Sequence, residues 1–490
     1  MAKDGKWRIS IKAPFQGFAP SYWTNSYPLF GNSSMAADMQ FCDVTDPNVL
    51  TQGTDITALT NGTQAGAVTT EMVHILNRPV SDDRTFAIGG NLLYELTATA
   101  VTNAGSYPHT INKAVVTGED GKSLAYYNDY VYYFYNHSGS AGDIGRLTAS
   151  TDTFDDDWGS TTPATGAGTL EDAPHPSIVG GDGIIYFGNG RYVGYYDPVN
   201  DVMSRQELDL PADVVVVDLV WERNFIYIAT NSPNLSTGNT NEGRIYTWDT
   251  VSSSFQEPII EVPGRLGSLF TKNGRIFVFY QELSSTGGLK IGYIVGDTVQ
   301  EIGGFSGTLP TFGQVVHFKN MIAFVSEAEI YLWGAEDRNV PVALSSYGEV
   351  GDTSIGSLAN PFGDLLTGSK TGSNYNLAKQ SGLSTNAVWK TISFDVASSK
   401  VNKIIVWYEP TASGAAVDIT MKSERGNNTY PSSGAMTITH TTDGSQVRKT
   451  FTPNVDCDDF RLELDWSNGS TTNALKIRRI DILGNVQSKE

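Results

Sequence analysis

Asn273-Gly274-Arg275-Ile276-Phe277-Val278-Phe279-Tyr280 reads as a tight turn feeding a short, fully buried strand. Asn-Gly supplies the positive φ values that a two-residue hairpin needs. The apolar run after it is rich in β-branched and aromatic residues and too short for a helix. A short strand precedes the turn, Gly267-Ser268-Leu269-Phe270, and a third follows after a loop, Leu289-Lys290-Ile291-Gly292-Tyr293-Ile294.

The same order recurs along the chain. Asn128-Asp129 leads into Tyr130–Phe134, Asp182-Gly183 into Ile184–Phe187, Arg223-Asn224 into Phe225–Ile228, and Lys319-Asn320 into Met321–Val325. Weaker copies surround Thr85–Ile88 and Asp364–Thr367. With Phe86, Val131, Ile185, Ile226, Ile276, Ile322 and Leu366 as anchors, successive copies lie 41 to 54 residues apart. Propeller blades of four strands repeat every ~40–50 residues. The sequence therefore predicts an all-β chain with a β-propeller of about seven blades over residues 67–380. Six or eight blades remain open because the end copies are degenerate, and an irregular β-sandwich is the alternative. Val68–Ile75 is expected as the inner strand of the first copy, and 369–384 as a linker or the closing strand.

Composition fits this reading. The chain has 490 residues, 50 glycines and a charged fraction of only 18%, which suits turn-rich β architecture. Its net charge is −20; residues from Thr385 onward carry 12 Lys and Arg against 12 Asp and Glu, so the ring holds the acidity. An acidic surface disfavours nucleic acid or an anionic membrane as partner. No secretory signal and no membrane-length apolar run is visible, so synthesis in a cytoplasm is expected. The two cysteines, Cys42 and Cys457, lack metal spacing and read as reduced thiols.

Two further regions flank the ring. Residues 1–66 read as an extended arm, basic at its start and then studded with Phe15, Phe18, Tyr22, Trp23, Tyr27 and Phe30 among Pro and Gly. An arm with that many aromatics is sticky unless covered, so it is expected to dock on its own propeller or on a neighbouring chain. Residues 385–490 carry at least six strand-like runs; Arg461–Trp466 alternates strictly, with one face buried and one wet. They predict a C-terminal β-sandwich, jelly-roll-like.

No phosphate loop, dinucleotide fingerprint, zinc signature or nucleophile elbow appears. The run Asp155-Asp156-Asp157 lacks the spacing of a calcium loop and reads as solvated. His74 and His317 fall on inner strands, where Glu71 or Asp218 could pair with them. A propeller glycosidase needs two axial carboxylates, and only Glu71 and Asp218 qualify. Trp248 and Trp333 read as blade packing. The expectation is a protein without catalytic residues, cofactor or metal.

Pro14–Trp23, with Ala37-Asp38-Met39 and Asp46–Gly53, resembles virion proteins of tailed bacteriophages. So does the order arm, propeller, small sandwich ending Ile477–Ile482. The resemblance implies a non-enzymatic, tail-associated structural protein whose partners are other virion proteins and copies of itself. It places the protein in the virion. The alternative is a propeller that binds or cleaves a host surface glycan.

Overall fold

The computed structural model describes residues 5–12, 36–44, 49–61, 68–77, 79–80, 84–97, 100–102, 109–111, 118–137, 140–232, 243–282, 288–305, 307–334, 344–346, 353–410, 412–423, 428–439, 446–467 and 469–487. Seven sheets form the blades of a propeller. Blade 5 shows the pattern: Arg265–Lys272, Arg275–Gln281, Leu289–Val295 and Thr298–Phe305 pair in order, each antiparallel to the next. Blade 2 (Asp120–Tyr127 to Thr153–Asp155), blade 3 (Ser177–Val179 to Val202–Asp209), blade 4 (Val215–Glu222 to Gln256–Val262) and blade 6 (Val315–Phe318 to Leu344–Ser346) repeat it. The turns between first and second strands have the expected chemistry. Asn128 and Asp129, Arg223 and Asn224, and Asn273 and Gly274 all sit at φ between 48° and 71°. Two successive positive φ values match the right-handed twist of the flanking strands.

Side chains from facing sheets fill each gap between blades. Ile88, Leu124 and Tyr133 share the core between blades 1 and 2; Phe134, Trp158 and Phe187 that between 2 and 3. Tyr186, Leu219 and Trp248 fill the next gap, Ala229, Leu269 and Val278 the one after, then Phe279, Phe324 and Trp333. Burying a large apolar side chain contributes about 1.5–3 kcal/mol, so these cores hold the ring together.

The ring closes with strands from both ends of the sequence. Blade 7 comprises Ser354–Ala359, Leu366–Thr371 and Asn374–Ser381, and its fourth strand is Asp55–Ala58, in register from Ala378↔Ala58 to Ser381↔Asp55. The segment 369–384 thus contributes strands of the last blade rather than a linker. Blade 1 departs from the expected pattern. Its inner strand is only His74–Ile75, not the whole of Val68–Ile75, and Thr60–Asn61 adds to its outer edge in parallel. A glycine explains part of this: a Cβ on Gly89 would lie 2.0 Å from the Glu71 carbonyl oxygen, so the backbones approach closely there.

The C-terminal region is one large curled sheet of ten strands. Its main order is Lys6–Lys12, Ile477–Val486, Phe394–Tyr408, Val455–Asp465, Val388–Thr391 and Ala36–Gln40. The 15-residue strand Phe394–Tyr408 pairs along its first part with Val455–Asp465 and along its second with Arg448–Phe451. Ala416–Ser423 continues from Val455–Asp465 on the other side of the curl. Trp389, Phe394, Phe460, Leu464, Trp466 and Ile482 fill its interior, and that core runs on without a break into Val316, Phe318 and Leu332 of blade 6. The sandwich expected from residues 385–490 alone therefore takes two strands from the N-terminal stretch. Within residues 1–66, described strands lie at both ends of the curled sheet's order and on blades 7 and 1, and Cys42–Asp43 pairs with Thr51–Gln52 as a two-stranded sheet. Phe15, Phe18, Tyr22, Trp23, Tyr27 and Phe30 lie outside the described residues.

Candidate functional site

The polar groups singled out near the ring axis are fastened into blade junctions. Asp218, on the inner strand of blade 4, is buried. Its Oδ2 accepts hydrogen bonds from the Ser268 hydroxyl and the Leu269 N–H, both 2.7 Å and both on blade 5. Its Oδ1 accepts from its neighbour Leu219 N–H at 2.7 Å. Burial pushes the carboxyl up to about 7 against these three bonds, which favour the charged form. Glu71 accepts a 2.6 Å hydrogen bond from the Ser354 hydroxyl, joining blade 1 to blade 7. The two carboxylates thus serve different junctions, blade 4 to blade 5 and blade 1 to blade 7.

The histidines follow the same logic. His74 takes a backbone partner instead of a carboxylate: its Nδ1 accepts from Leu124 N–H of blade 2 at 2.9 Å. Burial lowers it to about 4, consistent with the neutral ring that this bond requires. His317 is exposed, and its carbonyl accepts from Asn360 Nδ2 at 3.0 Å. His175, which the sequence reading did not single out, is buried with Nε2 2.7 Å from Asn136 Oδ1 and Nδ1 2.9 Å from the Gly188 carbonyl. Nothing in its sequence setting, Pro174-His175-Pro176, marks it as a junction residue.

The acidic run is not simply solvated. Asp156 Oδ1 accepts from the Tyr133 hydroxyl and lies 2.9 Å from His109 Nε2. Its carbonyl accepts from the Tyr135 hydroxyl at 2.5 Å. Asp157 leads into the helical turn Trp158–Thr161. Among the described residues no group of three or more His, Cys, Asp or Glu is placed to hold a metal ion. Trp248 donates Nε1–H to the Ser252 carbonyl at 2.7 Å, and Trp333 packs edge-on against Phe270 and Phe277, both inside blades as expected. Cys42 and Cys457 are buried and not joined in a disulfide; burial pushes the Cys457 thiol up to about 11.

The remaining candidate lies on the outer face of the curled sheet, on strands that the sequence reads only as part of a C-terminal β-sandwich. Asp481, 1% exposed, gathers four side chains there. Arg8 Nη2 donates to it at 2.8 Å, Ser10 Oγ at 2.6 Å, Arg479 Nε at 2.8 Å and Trp407 Nε1 at 3.1 Å. Burial raises its pKa, but the bonds from Arg8, Ser10, Arg479 and Trp407 outweigh that and bring it down to about 2. Arg448 lies 5.4 Å from the Trp407 ring centre. Beside it opens a cavity of about 390 Å³ lined by Trp407, Tyr408, Glu409, Pro410, Val447 and Arg478.

The chain matches no protein-family profile and no curated protein. Among solved structures it is similar to the computationally designed Ika8 protein, with 9% identity, 67% of this chain and 99% of that chain covered, and a TM-score of 0.40. It is also similar to the extracellular domain of the hybrid two-component system BT3049 from B. thetaiotaomicron, with 11% identity, 83% and 50% covered, and a TM-score of 0.48. An exo-beta-1,3-galactanase from Phanerochaete chrysosporium aligns at 10% identity over 88% of this chain and 100% of that one, with a TM-score of 0.32. Likeness at this level carries no argument about activity or ligand. The propeller itself is a scaffold that hosts many functions, so function is argued from its sites.

Proposed function

We propose that this chain is a non-enzymatic structural protein of a tailed-bacteriophage particle, tail-associated, and built in through its N-terminal region and propeller. The observation that supports the non-catalytic part is the use of Asp218 and Glu71 as fasteners of separate blade junctions. Hydrolysis by two carboxylates needs them on opposite sides of one bond, about 5–10 Å apart. The resemblance of Pro14–Trp23 to virion proteins supports the location. Partners would be other virion proteins and further copies, reached after synthesis in the host cytoplasm.

The test follows from the strand Lys6–Lys12. Deleting the N-terminus outright would strip an edge strand from the curled sheet. Replacing Phe15, Phe18, Tyr22, Trp23, Tyr27 and Phe30 by serine keeps that strand. The variant is expected to fold, with an unchanged circular dichroism spectrum, and to be missing from purified particles. Normal incorporation would overturn the role of these aromatics.

A second reading, glycan binding in host attachment, rests on the Trp407 cavity, since small-molecule sites are concave, with aromatic walls and a few placed polar groups. Binding on a glycan array that disappears in Trp407→Ala would favour it. Polysaccharide turnover lost in Glu71→Gln or Asp218→Asn would replace the structural reading with an enzymatic one.

A further inference from the structure

The outer face of the curled sheet carries a basic patch across Lys6–Lys12, Ile477–Val486, Phe394–Tyr408 and Arg448–Phe451, and the ring is acidic. Alternation along Lys6–Lys12 turns Trp7, Ile9 and Ile11 to the core and Lys6, Arg8 and Ser10 outward. The paired strands continue that outer face with Arg479 and Asp481, then Lys403, Ile405 and Trp407, then Arg448 and Thr450. Five cations, Lys6, Arg8, Arg479, Lys403 and Arg448, thus surround one buried carboxylate, Asp481, which Arg8 and Arg479 already share. Two neighbouring acids already have partners: Asp456 accepts from Gln487, and Glu409 is paired with Arg478 and Lys476. Trp407 lies in the middle, half-buried, next to the cavity and the 54% exposed Val447. A central aromatic and arginines within a polar rim are the composition of protein interfaces.

The complementary surface is on the same polypeptide. Residues 67–384 carry 17 Lys and Arg against 36 Asp and Glu, a net charge of −19. The outer strands of blades 3, 4 and 5 expose Glu207 and Asp209, Glu257 and Glu261, and Glu301. The curled sheet shares its core with blades 6 and 7, so within one chain it does not cover these strands.

We infer that the basic face of the curled sheet in one copy docks on the acidic outer strands of blades 3 to 5 in a second copy, with Trp407 as the anchor. The two patches differ, so the contact is head-to-tail, and its repetition gives a closed ring or a filament rather than a two-fold dimer. This names the partner and the faces for the assembly reading and rests on it. Opposite potentials steer such an encounter and make it salt-dependent.

The test is sedimentation velocity on the purified full-length chain at about 0.1 M and about 1 M salt, where the screening length falls from ~10 to ~3 Å. Concentration-dependent association is expected at the lower salt and not at the higher. Lys403→Glu with Lys6→Glu on one chain, or Glu257→Lys with Glu261→Lys on another, is expected to weaken it at least tenfold. None of these four residues is buried, so folding is preserved, and mixing the two reversed chains is expected to restore a mixed complex. A wild-type chain that stays monomeric at low salt overturns the inference, as does a Lys6/Lys403 variant that associates normally. Retention of a monomeric chain on heparin through the same residues overturns it in favour of an anionic polymer. Each of these failures leaves docking onto other virion proteins standing, which the particle assay measures separately.

Discussion

At the scale of single residues, two buried aspartates act oppositely on stability. Asp218 is raised to about 7, above its ordinary 3.8, so between those values the folded ring holds a proton that the unfolded chain has released. Stability should therefore fall as pH rises through that window and level off above it. Asp218→Ala leaves the Leu219 and Leu269 N–H groups and the Ser268 hydroxyl without their acceptor. It should cost about 2–3 kcal/mol and remove the slope, read from urea midpoints between pH 4 and pH 8. Asp481 is depressed to about 2. Its contribution is present in full above the unfolded value and is lost as pH falls through about 2. Asp481→Asn should release Arg8 and Ser10, seen as faster amide hydrogen exchange in 6–12 with the blades unchanged.

At the scale of elements, the closing strand is the sensitive piece. Asp55–Ala58 pairs only with Asn374–Ser381 and leaves that strand as the free edge of blade 7 if removed. Thr57→Pro with Ala58→Pro, which breaks this strand and leaves Lys6–Lys12 and Ala36–Gln40 in place, should keep the chain largely folded but expose 374–381 to proteolysis, mapped by mass spectrometry of early cleavage products. The blades were legible in the sequence because each carries its own instructions: a turn such as Asn273-Gly274, then a short run such as Ile276–Tyr280. Lys6–Lys12, Ala36–Gln40 and Asp55–Ala58 were not, because their partners lie more than 300 residues away. Trp7, Ile9 and Ile11 do alternate with Arg8 and Ser10, a strand signal in itself, but nothing local supplies the partner, Ile477–Val486. Asp218 was legible as an inner-strand carboxylate. Its role was not, since that depends on Ser268 and Leu269 of the next blade. The Trp407 cavity was hidden for the same reason, being assembled from three separated strands.

At the scale of the molecule, the ring and the curled sheet are joined by more than the chain that passes between them. Strands Lys6–Lys12 and Ala36–Gln40 belong in sequence to the ring side and in space to the sheet. A protease site inserted after Gly382, an exposed turn residue with φ of 64°, should leave the two fragments bound after cleavage. They should co-elute on gel filtration under native conditions and separate only in denaturant. Elution as two species would mean that the shared strands and the core continuous with blade 6 do not suffice.

The placement of the first strands has a bearing on how the polypeptide is made. Lys6–Lys12 leaves the ribosome well ahead of its neighbour Ile477–Val486. At roughly 5–20 residues per second, the interval between them is about half a minute to a minute and a half, and throughout that time the earlier strand has no native seat. A chain cut short before Ile477 can build individual blades but never the finished edge, so the curled sheet is sealed only when that late strand arrives.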